Sequence, residues 1–326
     1  MKIFFGRSVA IMAGLLIFIA IGEVGYRAYI YFFKPLHRPS EVSGLLWEPT
    51  PGARKIIGGI EYAVNANGFR GYKYNKAKDD GVLRIAVVGD SVTWGLTDFE
   101  DTYPRVMERE LLLGLKGEKV EVLNFGIEGT DSQHQLNLLK ERVVDYDPDI
   151  VVLGYCLNDM SLTSTNPVIL WFIGHVRFLN FVAVKGMTFI SAVRAWAGNL
   201  TGKTYYKRVN GYYNDTKRVT KMRHILLEMK TILQARGTKF MIAIFPFRQQ
   251  FGKGAEFKPQ ETILTVCTET GIDCLNNFDD MARHNPAELY LEDDFIHFSS
   301  LGNKILARSI ESFLYKKGYL RVHEGI

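Results

Sequence analysis

Leu83-Arg84-Ile85-Ala86-Val87-Val88 runs directly into Gly89-Asp90-Ser91-Val92-Thr93-Trp94-Gly95, and the reading of this stretch decides the fold. The first six residues, apolar except for Arg84, are too few for a helix and stop at a glycine, as a strand buried on both faces does. Tyr103 to Leu115 then repeats apolar residues at helical spacing, so a strand leads into a helix. The same unit recurs as Val120 to Phe125 followed by Ser132 to Val144, and as Phe240 to Phe245 followed by Glu261 to Thr270. Ile150 to Leu153 is a further strand followed by a long insertion; Ile272 to Leu275 is a last short strand, and Ser300 to Leu314 a closing helix. Continuously apolar strands alternating with helices predict a three-layer α/β domain with a parallel central sheet.

Upstream, residues 34–82 carry turn-forming clusters, Trp47-Glu48-Pro49-Thr50-Pro51-Gly52 and Asn65-Ala66-Asn67-Gly68-Phe69-Arg70-Gly71, which predict a stalk or flap of short extended pieces. Before it, Ser8 to Gly22 is uncharged, and the apolar character resumes from Tyr26 to Phe33. Glu23 and Arg27 stand one helical turn apart and can pair, so Phe4 to Phe33 is long enough to cross a bilayer as a single N-terminal transmembrane helix. A cleavable signal peptide is the competing reading. The absence of A-x-A spacing after the run and the aromatic cluster Tyr26, Tyr29, Tyr31, Phe32 and Phe33 favour a retained anchor with the remaining domain outside the cytoplasm. The expected parts are therefore an anchor over 1–33, a flap over 34–82 and a main domain over 83–326.

Within the main domain, Met160 to Tyr213 is too long for a plain crossover and is rich in aromatic residues. His175, Arg177, Asn180 and Lys185 interrupt every window long enough for a second span. A helical insertion at about 160–215 is expected, either capping the site, against the membrane or not, or adding to the core. Lys217 to Arg236 reads as an amphipathic helix closed by Gly237.

Composition narrows the function. The 326 residues have a formal charge of +5, but Lys2, Arg7, Arg27, Lys34 and Arg38 against Glu23 place +4 in the first forty. A nearly neutral main domain offers no broad electrostatic footprint for a phosphate backbone, so no nucleic-acid partner is expected. Cys156, Cys267 and Cys274 form no metal-ligand cluster, and no Walker or dinucleotide glycine pattern follows a strand, so neither metal nor cofactor is expected. Cys267 and Cys274 are close enough in sequence to be bridged in an oxidising compartment, or to be two buried thiols.

Four segments place polar residues at the C-terminal ends of predicted strands, where open α/β sheets bind ligands. Ser91 sits on a strand-to-helix turn that can project its hydroxyl and its N–H. Asn124 to Thr130 leaves its strand with Gly126 and Gly129, either of which can bring an N–H to a developing charge. Asn158, in Gly154-Tyr155-Cys156-Leu157-Asn158-Asp159, can donate from its side-chain amide, or serve as a cap. Asp294 stands three residues before His297, a spacing that lets a carboxylate accept from Nδ1–H and leave Nε2 free.

In order and placement these segments resemble the SGNH (GDSL-like) hydrolases over Leu83 to Leu314, and the anchor and the Asn67-to-Gly71 segment resemble the family's membrane-tethered bacterial branch. The resemblance implies a flavodoxin-like SGNH fold, with Ser91 as nucleophile, His297 as base and Asp294 orienting it. It also implies an oxyanion hole made by the Ser91 and Gly129 N–H groups and the Asn158 amide. One departure is Cys156, where the family usually has glycine, and a locally changed turn is expected there. The implied activity is that of a serine esterase or O-acyltransferase on an ester substrate, an acetyl group of envelope polysaccharide or a lipid being the candidates. A catalytically silent, tethered polysaccharide-binding module is the alternative.

Overall fold

A computed structural model describes residues 2–115, 117–162, 176–183, 185–186 and 202–320. Two small antiparallel hairpins come first: β1 (His37–Pro39) pairs with β2 (Trp47–Pro49), and β3 (Arg54–Ile57) with β4 (Ile60–Ala63). Gly58 and Gly59 join the second pair, both at positive φ (58° and 83°), as a tight hairpin turn requires. Five parallel strands follow: β5 (Val82–Gly89), β6 (Lys119–Gly126), β7 (Ile150–Cys156), β8 (Lys239–Phe245) and β9 (Asp273–Asn276). Their spatial order is β6-β5-β7-β8-β9, the flavodoxin-like order, whose reversal point lies beside β5.

Helices Tyr103–Gly114, Ser132–Glu141, Thr216–Gln234, Lys258–Thr270 and Ser300–Lys316 connect and flank the sheet. The second of these stops three residues before the expected Val144, because Arg142 leaves helical geometry and Val143–Tyr146 tightens into a 3-10 turn. Ile85, Ala86 and Val87 of β5 and every residue of β7 are buried, which accounts for the unbroken apolar runs. Arg84 is only 1 % exposed; its guanidinium pairs with Glu121 (2.6 Å) and donates to the carbonyls of Lys76 and Tyr146, so its charge is matched.

Residues 34–82 are fastened to this domain. Val42, Leu45 and Phe69 join the main core, and the Phe69 ring meets Phe125 of β6 edge-on at 4.3 Å. The buried Glu48 carboxylate accepts from Arg38, Ser40 and Arg142, tying β1 and β2 to the end of helix Ser132–Glu141.

Helix Lys2–Phe33 contains the one described segment long and apolar enough to cross a membrane, Ala10–Phe33, with mean hydropathy 1.6. Arg27 pairs with Glu23 (2.7 Å), and the other Glu23 oxygen accepts from the Phe178 N–H (2.8 Å). Glu23 thus caps a short helix at residues 177–183. Gly22 lets the Phe178 ring lie against the backbone, since a Cβ there would stand 2.6 Å from it; Tyr26 packs on Phe181 at 4.8 Å.

Leu170 to Ile173 and Trp196 of the insertion lie outside the described residues. Of the rest, Tyr206, Val209 and Tyr213 of helix Gly202–Tyr212 and its end enter the core, while Tyr205 packs on Phe295, two residues from His297. Cys267 and Cys274 are joined by a disulfide, with Cα atoms 6.2 Å apart.

Candidate active site

The ends of β5, β6 and β7 lie level, with Gly89 opposite both Gly126 and Gly154. Onto this row of three glycines sits a single helical turn, Ser91–Trp94. A Cβ on Gly126 would fall 2.2 Å from the Trp94 N, and one on Gly89 or Gly154 within 2.7 Å of Thr93 Oγ1. The turn can approach the sheet only because these positions carry no side chain. Asp90 caps it by accepting from Val92 N–H (2.9 Å), and Asn124 donates to the Thr93 carbonyl (2.8 Å).

The far end of the turn is held from residues 34–82. Arg70 is 2 % exposed, and its guanidinium donates to the carbonyls of Trp94 (3.1 Å), Gly95 and Thr97 (2.6 Å) while lying over the Tyr62 ring. Burial pulls its pKa down to about 10, with Tyr62, Glu128 and Asp98 acting the other way, so it stays charged at neutral pH.

His297 arrives on the loop before the closing helix. Asp294 Oδ1 accepts the N–H groups of Ile296 (2.7 Å) and His297 (3.0 Å), a turn that leaves Oδ2 facing the ring at 2.8 Å from Nδ1. On the other side His297 Nε2 stands 2.8 Å from Ser91 Oγ, across 206 residues of sequence. Asp293 is exposed, at φ 56°, and the carboxylate on the His297 ring is that of Asp294. Burial alone would lower the His297 pKa, but the hydrogen bond and charge of Asp294, with Asp90 and Glu128 behind them, raise it above 6.5. Burial likewise works to raise Asp294, and the His297 contacts with the two N–H groups outweigh it, leaving a pKa of about 2.

Of the two glycines after β6, Gly126 gives its N–H to Asn124 Oδ1 (2.8 Å), so that donor is taken. Gly129 is exposed at φ 73°, and among the described residues neither its N–H nor that of Ser91 has a partner. Asn158 is half-buried just beyond β7, and its Oδ1 is buried without a partner; burial pushes the neighbouring Asp90 carboxyl up, against the Val92 N–H, the His297 charge and the Asn158 amide. Cys156 has φ −87° and ψ 144°, extended backbone open to any residue, so no glycine is needed there. Its thiol is buried and pushed well up, first by desolvation and then by Asp90 and Asp159, so it is a neutral group and no rival nucleophile. Burial and the Asp90 charge drive Asp159 well above the usual carboxylate range.

Sequence reasoning missed Arg70, and it missed the contacts that hold the loop bearing Gly129. The Trp47 indole donates to the Glu128 carbonyl (3.0 Å), its ring lies 3.0 Å from where a Gly129 Cβ would be, and His37 Nε2 meets the Glu128 carboxylate at 2.8 Å. Aromatic and basic residues among turn-forming tokens were the available signal.

A parallel α/β sheet of this order, with a serine, a histidine and a carboxylate meeting at the strand ends, is the arrangement in which a serine hydroxyl can act as a nucleophile. The chain belongs to the GDSL-like lipase/acylhydrolase family, whose sequence model matches residues 87–305. No curated protein matches the full sequence. Among solved structures it is similar to TesA, at 14% identity over 72% of this chain and 98% of that one, with a TM-score of 0.47. It is also similar to a lipase/acylhydrolase from Enterococcus faecalis, at 17% identity, 74% and 99% coverage and TM-score 0.46. A catalytic mutant of an acetylxylan esterase from Geobacillus stearothermophilus gives 15%, 73% and 96%, and 0.46.

Proposed function

We propose that Ser91, His297 and Asp294 are the catalytic triad of a membrane-anchored esterase that acts outside the cytoplasm on acyl groups of envelope carbohydrate. The observation that carries this reading is the unbroken relay from Asp294 through the His297 ring to Ser91 Oγ, each step 2.8 Å. His297 Nε2 takes the Ser91 proton as Oγ bonds to the ester carbonyl carbon. The resulting oxyanion lies between the free N–H groups of Ser91 and Gly129 and the Asn158 amide. His297 then returns the proton to the departing alcohol, leaving an acyl-serine. Water, giving its proton to His297, releases the acid; a sugar hydroxyl in its place makes the same site a transferase.

The anchoring half of the proposal is supported by the apolar, largely exposed segment Ala10–Phe33 of helix Lys2–Phe33, and by the Cys267–Cys274 disulfide, which suits an oxidising compartment. In this reading residues 1–33 are the anchor, 34–82 a flap fastened to the site, and 83–326 the catalytic domain. The test is a fluorophosphonate probe on detergent-solubilised protein, together with acetate release from acetylated envelope polysaccharide. Wild type should label and release acetate, and Ser91→Ala should do neither; equal labelling of Ser91→Ala would refute the assignment.

A further inference from the structure

A cavity of about 450 Å³ opens where the N-terminal helix, residues 34–47 and residues 177–183 with Lys185 meet. Its lining includes none of Ser91, Asn158, Asp294 or His297. Tyr26 and Tyr29 of helix Lys2–Phe33 form one wall and Phe181 another, while Arg38 and Lys185 supply positive charge. Arg38 gives one terminal nitrogen to Glu48 (2.6 Å) and the other to Glu41 (3.4 Å), and its Nε is buried without a partner. Lys185 is exposed and pairs with no carboxylate among the described residues; its ammonium lies 5.8 Å over the Phe181 ring. Glu128, the one acidic lining residue, already faces His37.

We propose that this cavity binds the headgroup of an anionic lipid, drawn from the bilayer in which helix Lys2–Phe33 stands. The inference rests on the membrane reading of that helix. Tyrosines at the end of an apolar helix sit at headgroup depth, so a cavity they line opens where lipid phosphates are found. The Lys185 ammonium meets the phosphate, and Tyr26, Leu36 and Phe181 cover the glycerol and the first acyl carbons. A net-anionic headgroup answers the Lys185 charge, whereas a zwitterionic one brings its own cation beside it. Because Glu128 lines the cavity and precedes Gly129, the bound lipid also borders the loop beside Ser91.

The experiment uses the full chain in mild detergent with equal amounts of phosphatidylglycerol and phosphatidylcholine of identical acyl chains, and counts retained lipid by native mass spectrometry. Phosphatidylglycerol should be retained in preference, and Lys185→Gln should weaken that preference by roughly fivefold, the effect of one basic contact at a lipid surface. Fluorophosphonate labelling of Ser91 should not change in Lys185→Gln, and Ser91→Ala should retain lipid as wild type does. Equal retention of the two lipids, or an unaltered preference in Lys185→Gln, overturns the inference. Displacement by soluble glycerol phosphate as effective as by the lipid overturns it too, since the site would then read a free anion. Failure of vesicle association by the full chain would remove the membrane reading itself, and lipid retention without Ser91 labelling would remove the hydrolase reading alone.

Discussion

The two sides of the Ser91 turn are built by opposite means. On the sheet side, Gly89, Gly126 and Gly154 make room by lacking side chains, and main chain lies against main chain. On the solvent side, polar side chains reach in from other segments: Arg70 onto three carbonyls, and His297, held by Asp294, onto Oγ. A surface made by close backbone approach cannot absorb an added atom, whereas one made by donors and acceptors responds to what each group donates. Substitutions on the sheet side should therefore fail by size, and those on the solvent side by chemistry.

Gly126→Ala is the severest test. Its Cβ would meet the backbone of Thr93 and Trp94, which cannot swing aside as a side chain can, so overpacking should cost about 3 kcal/mol and displace Ser91. Denaturant unfolding and probe labelling should both report it; a stable, fully labelled Gly126→Ala protein would break the comparison. Next comes Asp294→Asn on the solvent side, which keeps volume and removes charge, and should lower kcat by about 10⁴. Its pH profile adds a sign. In the proposed mechanism His297 must be neutral to take the Ser91 proton, so wild-type kcat/KM should rise with pH through the raised His297 pKa, above 6.5. Without the Asp294 carboxylate that pKa falls, and the acid limb should move to lower pH.

Asn158→Ala should lower kcat by about 10² to 10³ with little change in KM, because a donor aimed at charge that develops in the transition state adds little to ground-state binding. Arg70→Lys keeps the charge but not the fork that spans three carbonyls, and should cost roughly 2 kcal/mol in unfolding with a smaller loss of turnover. Cys156→Gly, at extended backbone with an inert thiol, should leave turnover nearly unchanged. A strong effect there would mean that side-chain bulk beside Asp90 matters on the sheet side as well.

The same division explains what the sequence disclosed. Strands and helices were legible because burial on both faces of the sheet writes continuous apolar runs, and Asp294 and His297 because their contact is local. The glycine row was not legible as a row: Gly89, Gly126 and Gly154 each look like a turn residue until register sets them side by side. Register likewise shows why Gly126 is committed to packing and why its N–H is spent on Asn124. Arg70 escaped for a different reason. Its partners are carbonyls 24 to 27 residues away, and main-chain acceptors leave no mark on sequence.

The contact between Glu23 and the Phe178 N–H bears on how this protein can be handled at the bench. Soluble versions of proteins with an N-terminal apolar helix are commonly made by cutting after it. Here a chain starting at Lys34 would lose the cap of the 177–183 helix and uncover Phe178 and Phe181, which pack on Phe18 and Tyr26. Such a truncation should be prone to clump through that bared aromatic face, and a substituted generic apolar helix lacking Gly22 and Glu23 should not cure it.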